Sequence, residues 1–257
     1  DSDLFMTIRS YLSVSNDPME VLTQPWSLVT YMFLHAGFFH ILFNMLIFYW
    51  FGRIFQEYLG DRRLISTFIL GGIAGAIVFI LAYQLFPALA QRAAVTGMVG
   101  ASAGVMAVVV ATATLLPDFS LNLLLVGPVR LKYIAGFMVL ISFLGTAGSN
   151  AGGEFSHLGG ALFGYFYVKQ LDKGRDIGDW LMQGVDKLKL AFGGDEKATN
   201  SSFKVHRNEK SQFKTYPAEK DKQTKQKEID RILDKIAESG YDSLTKEERD
   251  TLFNASK

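Results

Sequence analysis

Three short segments of this chain carry side chains whose types and spacing could do nucleophilic chemistry. In His35-Ala-Gly-Phe-Phe-His40-Ile-Leu-Phe-Asn44, His40 and Asn44 stand four residues apart, on one helical face. Both can donate hydrogen bonds, which suits either interhelical bonding or a pair of donors aimed at a developing oxyanion. In Thr96-Gly-Met-Val-Gly100-Ala-Ser102-Ala-Gly104, a serine stands among small residues at the start of an apolar run. That location offers unpaired backbone N–H groups, and it equally suits a small-residue packing face. In Ser156-His157-Leu-Gly-Gly160-Ala-Leu-Phe-Gly164, a histidine precedes a GxxxG stripe made by Gly160 and Gly164. If that stripe packs on the small residues after Ser102, His157 comes within reach of the hydroxyl. Ser102 and His157 would then form the nucleophile–base pair of acyl transfer.

The elements that must position these groups are apolar runs. The chain has 257 residues, 49% hydrophobic, with a net charge of +1 and no cysteine, which excludes disulfides, thiolate metal sites and a cysteine nucleophile. Hydrophobic character is concentrated between Trp26 and Val168, in five stretches: 27–51, 64–86, 99–116, 133–144 and 157–168. A span needs about 20 apolar residues, so the last two are short. An all-α bundle of membrane helices is therefore expected, because five runs with almost no charged face lack the amphipathic period of a soluble helix.

Arg53, Arg62, Arg63, Arg130 and Lys132 fall at one end of the runs, and the other end has only Arg9 and Arg92. The positive-inside rule then puts the C-terminus in the cytoplasm and Asp1 outside. After the last run, Trp180, Leu181, Val185, Leu188 and Phe192 fit an amphipathic helix on the membrane surface. Residues 198–225 read as a polar linker. Ile229, Ile232, Leu233 and Ile236, the stop at Gly240 and the Thr245/Glu248 capping box predict a small helical hairpin that docks on a partner of unknown kind. The 19 basic and 17 acidic residues from Lys169 onward give no patch suited to nucleic acid. Four regions are expected: an external segment 1–25, a membrane domain 26–172, a juxtamembrane helix and linker 173–224, and a hairpin 225–257.

The order and spacing of His35…His40…Asn44, Gly100-Ala-Ser102 and His157…Gly160…Gly164 resemble the rhomboid intramembrane serine proteases over about Trp26–Val168. The resemblance implies Ser102 as nucleophile and His157 as base, with His40, Asn44 and the Ser102 N–H as the oxyanion hole. It implies supporting roles for His35, Gly100, Gly160, Gly164 and, as a helix brace, Glu57. It implies a dyad without a carboxylate behind the histidine. No cofactor or metal is expected; the partners are the bilayer and transmembrane protein substrates. A bacterial member with six spans is implied, the first of them before Asp1 and the fourth visible one acting as gate, with residues 145–153 a flexible external connection. Position 103 is alanine where the family has glycine, and Ser27 follows Trp26 where the family often has arginine. The alternatives are a catalytically silent rhomboid-like binder of membrane proteins and, with less support, a small transporter or channel, which would need broken helices with midplane charges or an internal repeat.

Overall fold

The computed structural model describes residues 2–90, 97–123 and 126–191, together with 231, 232, 235, 245 and 248. The chain divides into two compact units, Asp1–Glu196 and Lys197–Lys257. The first contains the segment before Trp26 and the helix after the last apolar run as well as the bundle.

The first unit begins with α1 (Ser2–Leu12), α2 (Pro18–Thr23), α3 (Ser27–Thr30) and a 3₁₀ turn (Tyr31–Phe33). Five longer helices follow: α4 (Phe38–Leu59), α5 (Asp61–Leu85), α7 (Ser102–Leu115), α8 (Leu131–Gly145) and α9 (Ala151–Asp172). The short α6 (Pro87–Ala90) trails α5, and α10 (Asp179–Ala191) trails α9. An antiparallel hairpin, β1 (Ser120–Leu123) with β2 (Gly127–Arg130), joins α7 to α8. The helical prediction did not include it, because four-residue strands leave almost no periodic signal.

The span boundaries also move. The first helix of the bundle starts at Phe38, not Ser27, because the chain turns through Leu34–Gly37 and Gly37 is its N-cap. The last begins at Ala151, six residues before His157, so the predicted flexible connection is a short turn between Gly145 and Ala151. Helices α4 and α5 are long and apolar enough to cross a membrane, and α7 and α8 are shorter apolar helices.

Helix α7 is the centre of the bundle, with ten of its fourteen residues buried. It is clasped from two sides by glycines. A Cβ on Gly160 or Gly164 of α9 would overlap the backbone carbonyls of Ala103 and Ala107, and one on Gly71 or Gly75 of α5 would overlap their methyl groups. Ala103 and Ala107 thus touch both neighbours at backbone distance, which is what small residues accomplish where water supplies no driving force. Ala103, the departure from the family glycine, is 1% exposed, and Gly75 makes the room for its methyl. The two α7 threonine hydroxyls are satisfied inside the helix: Thr112 donates to the Val108 carbonyl and Thr114 to that of Val110.

The outer helices show the opposite pattern. Phe38, Phe39, Phe43 and Tyr49 of α4, and Tyr133, Phe137, Phe143 and Leu144 of α8, are all more than half exposed. An apolar belt of that extent suits lipid rather than water. At the basic end, Asp176 ties three elements: it accepts from Arg63 at 2.8 Å, the Tyr167 hydroxyl at 3.0 Å and the Gly178 N–H at 3.1 Å. Helix α10 forms as its periodicity predicts; Met182 is buried, Asp186 pairs with Arg62 at 2.8 Å, and Phe192 lies outside the described residues. Glu57, the brace that the resemblance implies, is exposed on α4. Gln56, one position earlier, connects α4 to α5 by donating to Asp61.

In the second unit, Thr245 and Glu248 form the reciprocal capping box: the Thr245 N–H donates to the carboxylate at 2.9 Å, and the Glu248 N–H to the Thr245 hydroxyl at 3.3 Å. Glu248 also accepts from Lys235 at 2.8 Å, and Ile232 is buried. The remaining hairpin positions and the linker 198–225 lie outside the described residues.

Gly160→Ala tests the clasp. The added methyl must push α9 off α7, costing about 1–3 kcal/mol. A lowered Tm in detergent is expected, together with loss of any activity that needs Ser102 and His157 in contact; an unchanged Tm would contradict the packing.

Candidate active site

The glycine clasp brings the predicted pair together. Ser102 is the first residue of α7, and its Oγ lies 2.7 Å from His157 Nε2 on α9. Ser102 and His157 line a cavity of about 850 Å³, with walls from α4, α7, α8, α9 and the segment before α4. His40, Asn44 and Gly100 line the same cavity.

His40 and Asn44 occupy the first turns of α4. The Ala36 N–H donates to His40 Nδ1 at 3.4 Å, which leaves the ring proton on Nε2. That edge faces the serine loop: a Cβ on Gly100 would lie 3.0 Å from His40 Nε2 and 3.7 Å from Ser102 Oγ. Asn44 is buried, and its amide donates to the His40 carbonyl at 2.8 Å, using one of its two N–H groups and leaving the other uncommitted. His35 stacks edge-on against His40, ring centroids 5.2 Å apart, so it supports His40 from outside the cavity.

Gly100 is required twice over. Its φ of +133° is a conformation that L side chains rarely adopt, and a Cβ there would lie 2.7 Å from His40 Cε1. Its N–H donates to the Tyr31 carbonyl at 3.0 Å, and the Tyr31 hydroxyl donates to the Gly72 carbonyl at 2.8 Å. Val14 and Met98 exchange both backbone hydrogen bonds. The N-terminal segment therefore holds the loop that delivers Ser102, a role the sequence did not announce.

The expected absence of a carboxylate behind the histidine is overturned. His157 Nδ1 lies 3.0 Å from Glu154 Oε2 and 3.1 Å from Ser142 Oγ of α8. Neither residue was among the sequence candidates. Glu154 is three residues before His157, one helical turn away. Starting the last helix at His157 placed it in a loop, and that hid the relationship.

A hydroxyl on one ring nitrogen, acceptors on the other and donors across the cavity can support nucleophilic acyl transfer. Comparison with known proteins agrees at the level of family. The rhomboid domain model matches residues 22–171, and residues 218–257 match a family of unknown function (DUF6576). The presenilin-associated rhomboid-like mitochondrial protein of Rattus norvegicus is 29% identical over 64% of this chain and 42% of its own length. Rhomboid protein 1, mitochondrial, of Saccharomyces cerevisiae is 29% identical over 65% of this chain and 46% of its own. The Arabidopsis thaliana protein named inactive RHOMBOID-like protein 8 is 27% identical over 37% of this chain and 25% of its own length. The chain thus spans less than half the length of these relatives.

Gly100→Ala combines a strained backbone with a clash on His40, and the strain alone costs about 1–3 kcal/mol. Loss of labelling of Ser102 by a fluorophosphonate is expected; labelling at the wild-type rate would show that the loop tolerates a side chain.

With the family model covering more than half of the chain, and its helices arranged around the Ser102–His157 contact, the chain belongs to the rhomboid family.

Proposed function

We propose that this protein is an intramembrane serine endopeptidase that cleaves membrane-anchored proteins. The observation that carries the reading is the 2.7 Å contact between Ser102 Oγ and His157 Nε2 inside a cavity that also holds His40 and Asn44. In the proposed reaction, Ser102 Oγ attacks the scissile carbonyl carbon while His157 Nε2 takes the hydroxyl proton. The oxyanion receives hydrogen bonds from His40 Nε2–H, Asn44 Nδ2–H and the Ser102 N–H, the last free because the first N–H groups of a helix have no partner within it. Collapse of the tetrahedral intermediate expels the amine, which takes the proton from the imidazolium. Water, activated by His157 in turn, then releases the acyl group from Ser102.

Helix geometry supports a reaction below the membrane surface. Fourteen residues give α7 a length of about 21 Å, shorter than a hydrocarbon core of about 30 Å. A helix starting at the site and ending near the opposite surface would therefore begin beneath the headgroups. Phe39 and Phe43 of α4 and Phe137 and Ile141 of α8 all line the cavity. Their exposure supports substrate access from lipid between those two helices, with α8 as the moving side.

The charge pattern supports one orientation of the molecule. Arg53, Arg62, Arg63, Arg130 and Lys132 lie at the end of the bundle away from Ser102, which supports a C-terminus on the positive-inside face and a site on the opposite face of the membrane. The rat and yeast relatives named above are mitochondrial by name, and nothing observed in this chain favours the bacterial plasma membrane of the sequence reading. The chain has no native cysteine, which makes the orientation easy to test. Ala147→Cys is expected to react with an impermeant maleimide on intact cells, and Lys187→Cys only after permeabilisation. The reverse pattern would invert the topology.

The decisive comparison offers the full-length protein a single-span reporter. Ser102→Ala and His157→Ala are each expected to lower cleavage by at least about 10³-fold. Loss of a donor, by Asn44→Ala or His40→Ala, is expected to cost about 10²–10³-fold. Cleavage that persists in the serine and histidine variants would refute the reading. The relative named inactive keeps a second reading in view, a non-catalytic binder of membrane proteins. It predicts an uncut client retained equally by the wild type and Ser102→Ala, with no fluorophosphonate adduct.

A further inference from the structure

The partners of His157 Nδ1 have a consequence that the proposed reaction does not contain, although it rests on that reaction. We propose that Glu154 is the positioning carboxylate of the base, so that this rhomboid works with a Glu154–His157–Ser102 relay in place of a bare dyad.

Four observations carry the assignment. Glu154 Oε2 lies 3.0 Å from Nδ1 while Nε2 faces Ser102 at 2.7 Å, so the three groups form one chain of hydrogen bonds. With an ionised carboxylate on Nδ1, the proton must reside on that nitrogen, and the Nε2 lone pair is left to receive the serine proton. Both side chains are 19% exposed, so the pair is sheltered from bulk water yet continuous with the cavity. The carboxylate is itself seated: the polar side chains of Ser142 and Asn150 stand beside it, and Gly145 leaves the space it fills, since a Cβ there would lie 2.8 Å from Glu154 Cγ. Its place in the first turn of α9 adds the favourable field of a helix N-terminus to an anion.

The two contacts of Nδ1 differ in where they are rooted. Ser142 belongs to α8, the helix proposed to move when substrate enters, and Glu154 belongs to α9, the same helix as His157. When α8 swings outward, the Ser142 contact is the one to break. Glu154, one turn from the histidine, moves with it and preserves the tautomer throughout the access step. Ser142 is then an auxiliary acceptor for the closed state.

The test measures kcat, KM and Tm for the full-length wild type, Glu154→Gln, Glu154→Asp, Ser142→Ala and Ser102→Ala on one single-span reporter. Glutamine is close to isosteric but neutral, and its amide can present a donor to Nδ1 and favour the wrong tautomer. Glu154→Gln is expected to lower kcat by about 100-fold with KM within about twofold of wild type. Glu154→Asp should recover at least about tenfold of that loss, and Ser142→Ala should lose only a few-fold. Equal kcat in wild type and Glu154→Gln, with Ser102→Ala inactive, would overturn this assignment and leave the protease reading standing. So would a glutamine variant whose loss appears in KM, or in a lowered Tm that aspartate does not relieve. If a Glu154 variant fails to fold, the rate of fluorophosphonate labelling of Ser102 in Ser142→Ala decides. A loss as large as about 100-fold there would make Ser142 the principal partner and refute the role of Glu154. A wild type that neither cleaves the reporter nor labels would overturn the protease reading, and this assignment with it.

Discussion

The whole arrangement depends on how closely α7 is held between α5 and α9. Ala103 and Ala107 present methyl groups to Gly75 and Gly71 on one side and carbonyls to Gly160 and Gly164 on the other. In lipid the apolar side chains gain nothing by leaving the solvent, so helix association relies on dispersion contacts at short range and on interhelical polar bonds. Close approach is therefore both the source of cohesion and the device that sets the geometry of the site. Ser102 is one residue before Ala103, and His157 is three before Gly160. A change in the distance between the two backbones is transmitted to the Ser102–His157 contact with almost no slack.

The same constraint decides which polar groups can be present. Buried hydroxyls and amides with no water to meet them must find partners within the helices. Thr112, Thr114 and Asn44 do so by bonding the carbonyl one turn back. The site departs from that economy: it gathers a serine, two histidines, an asparagine and a glutamate around one cavity. The cost of placing them there is what makes the cluster informative. Each polar group also has a specific supporter, His35 behind His40, the Tyr31 carbonyl under the Gly100 N–H, and Glu154 with Ser142 behind His157.

Much of this was legible in the residues. The stripe Gly160…Gly164 pointed to close packing on the small residues after Ser102, and the structure has that contact. The i, i+4 spacing of His40 and Asn44 placed both on the same face, and the periodicity of Trp180–Val185 marked α10. What was hidden follows from three physical causes. Composition sees an apolar run but not its edges, so Ser27–Phe33 was drawn into the first span although the chain turns at Gly37. Glycines were taken as flexible at Gly152 and Gly153, where they sit in the first turn of α9; Gly152 lets it pass close to Phe79 and Tyr83, and Gly153 leaves room for the side chain of its own N-cap, Asn150. That error removed Glu154 from its helix. The resemblance reinforced the omission, because the family pattern implies no acid behind the histidine. The contact from Ser142 is long-range in sequence, and no local spacing announces it.

Helix α8 stands apart from the clasped core. It has three buried residues, Leu131, Ala135 and Ser142, and otherwise shows large apolar side chains to its surroundings. Helices α5, α7 and α9 meet through glycine and alanine at backbone distance, whereas α8 meets them through larger side chains such as Leu131 and Met138. Interlocked backbones resist separation more stiffly than side-chain contacts that can repack, so displacement should concentrate in α8 and spare the other three. Ser102, His157 and Glu154 all sit on the stiff set, on α7 and α9. Under the proposed reaction, a protein that opens to lipid while keeping three hydrogen-bonded groups within a few tenths of an ångström has reason to separate the two tasks in this way. The one polar contact that α8 makes to the histidine, through Ser142, duplicates a bond already supplied from α9.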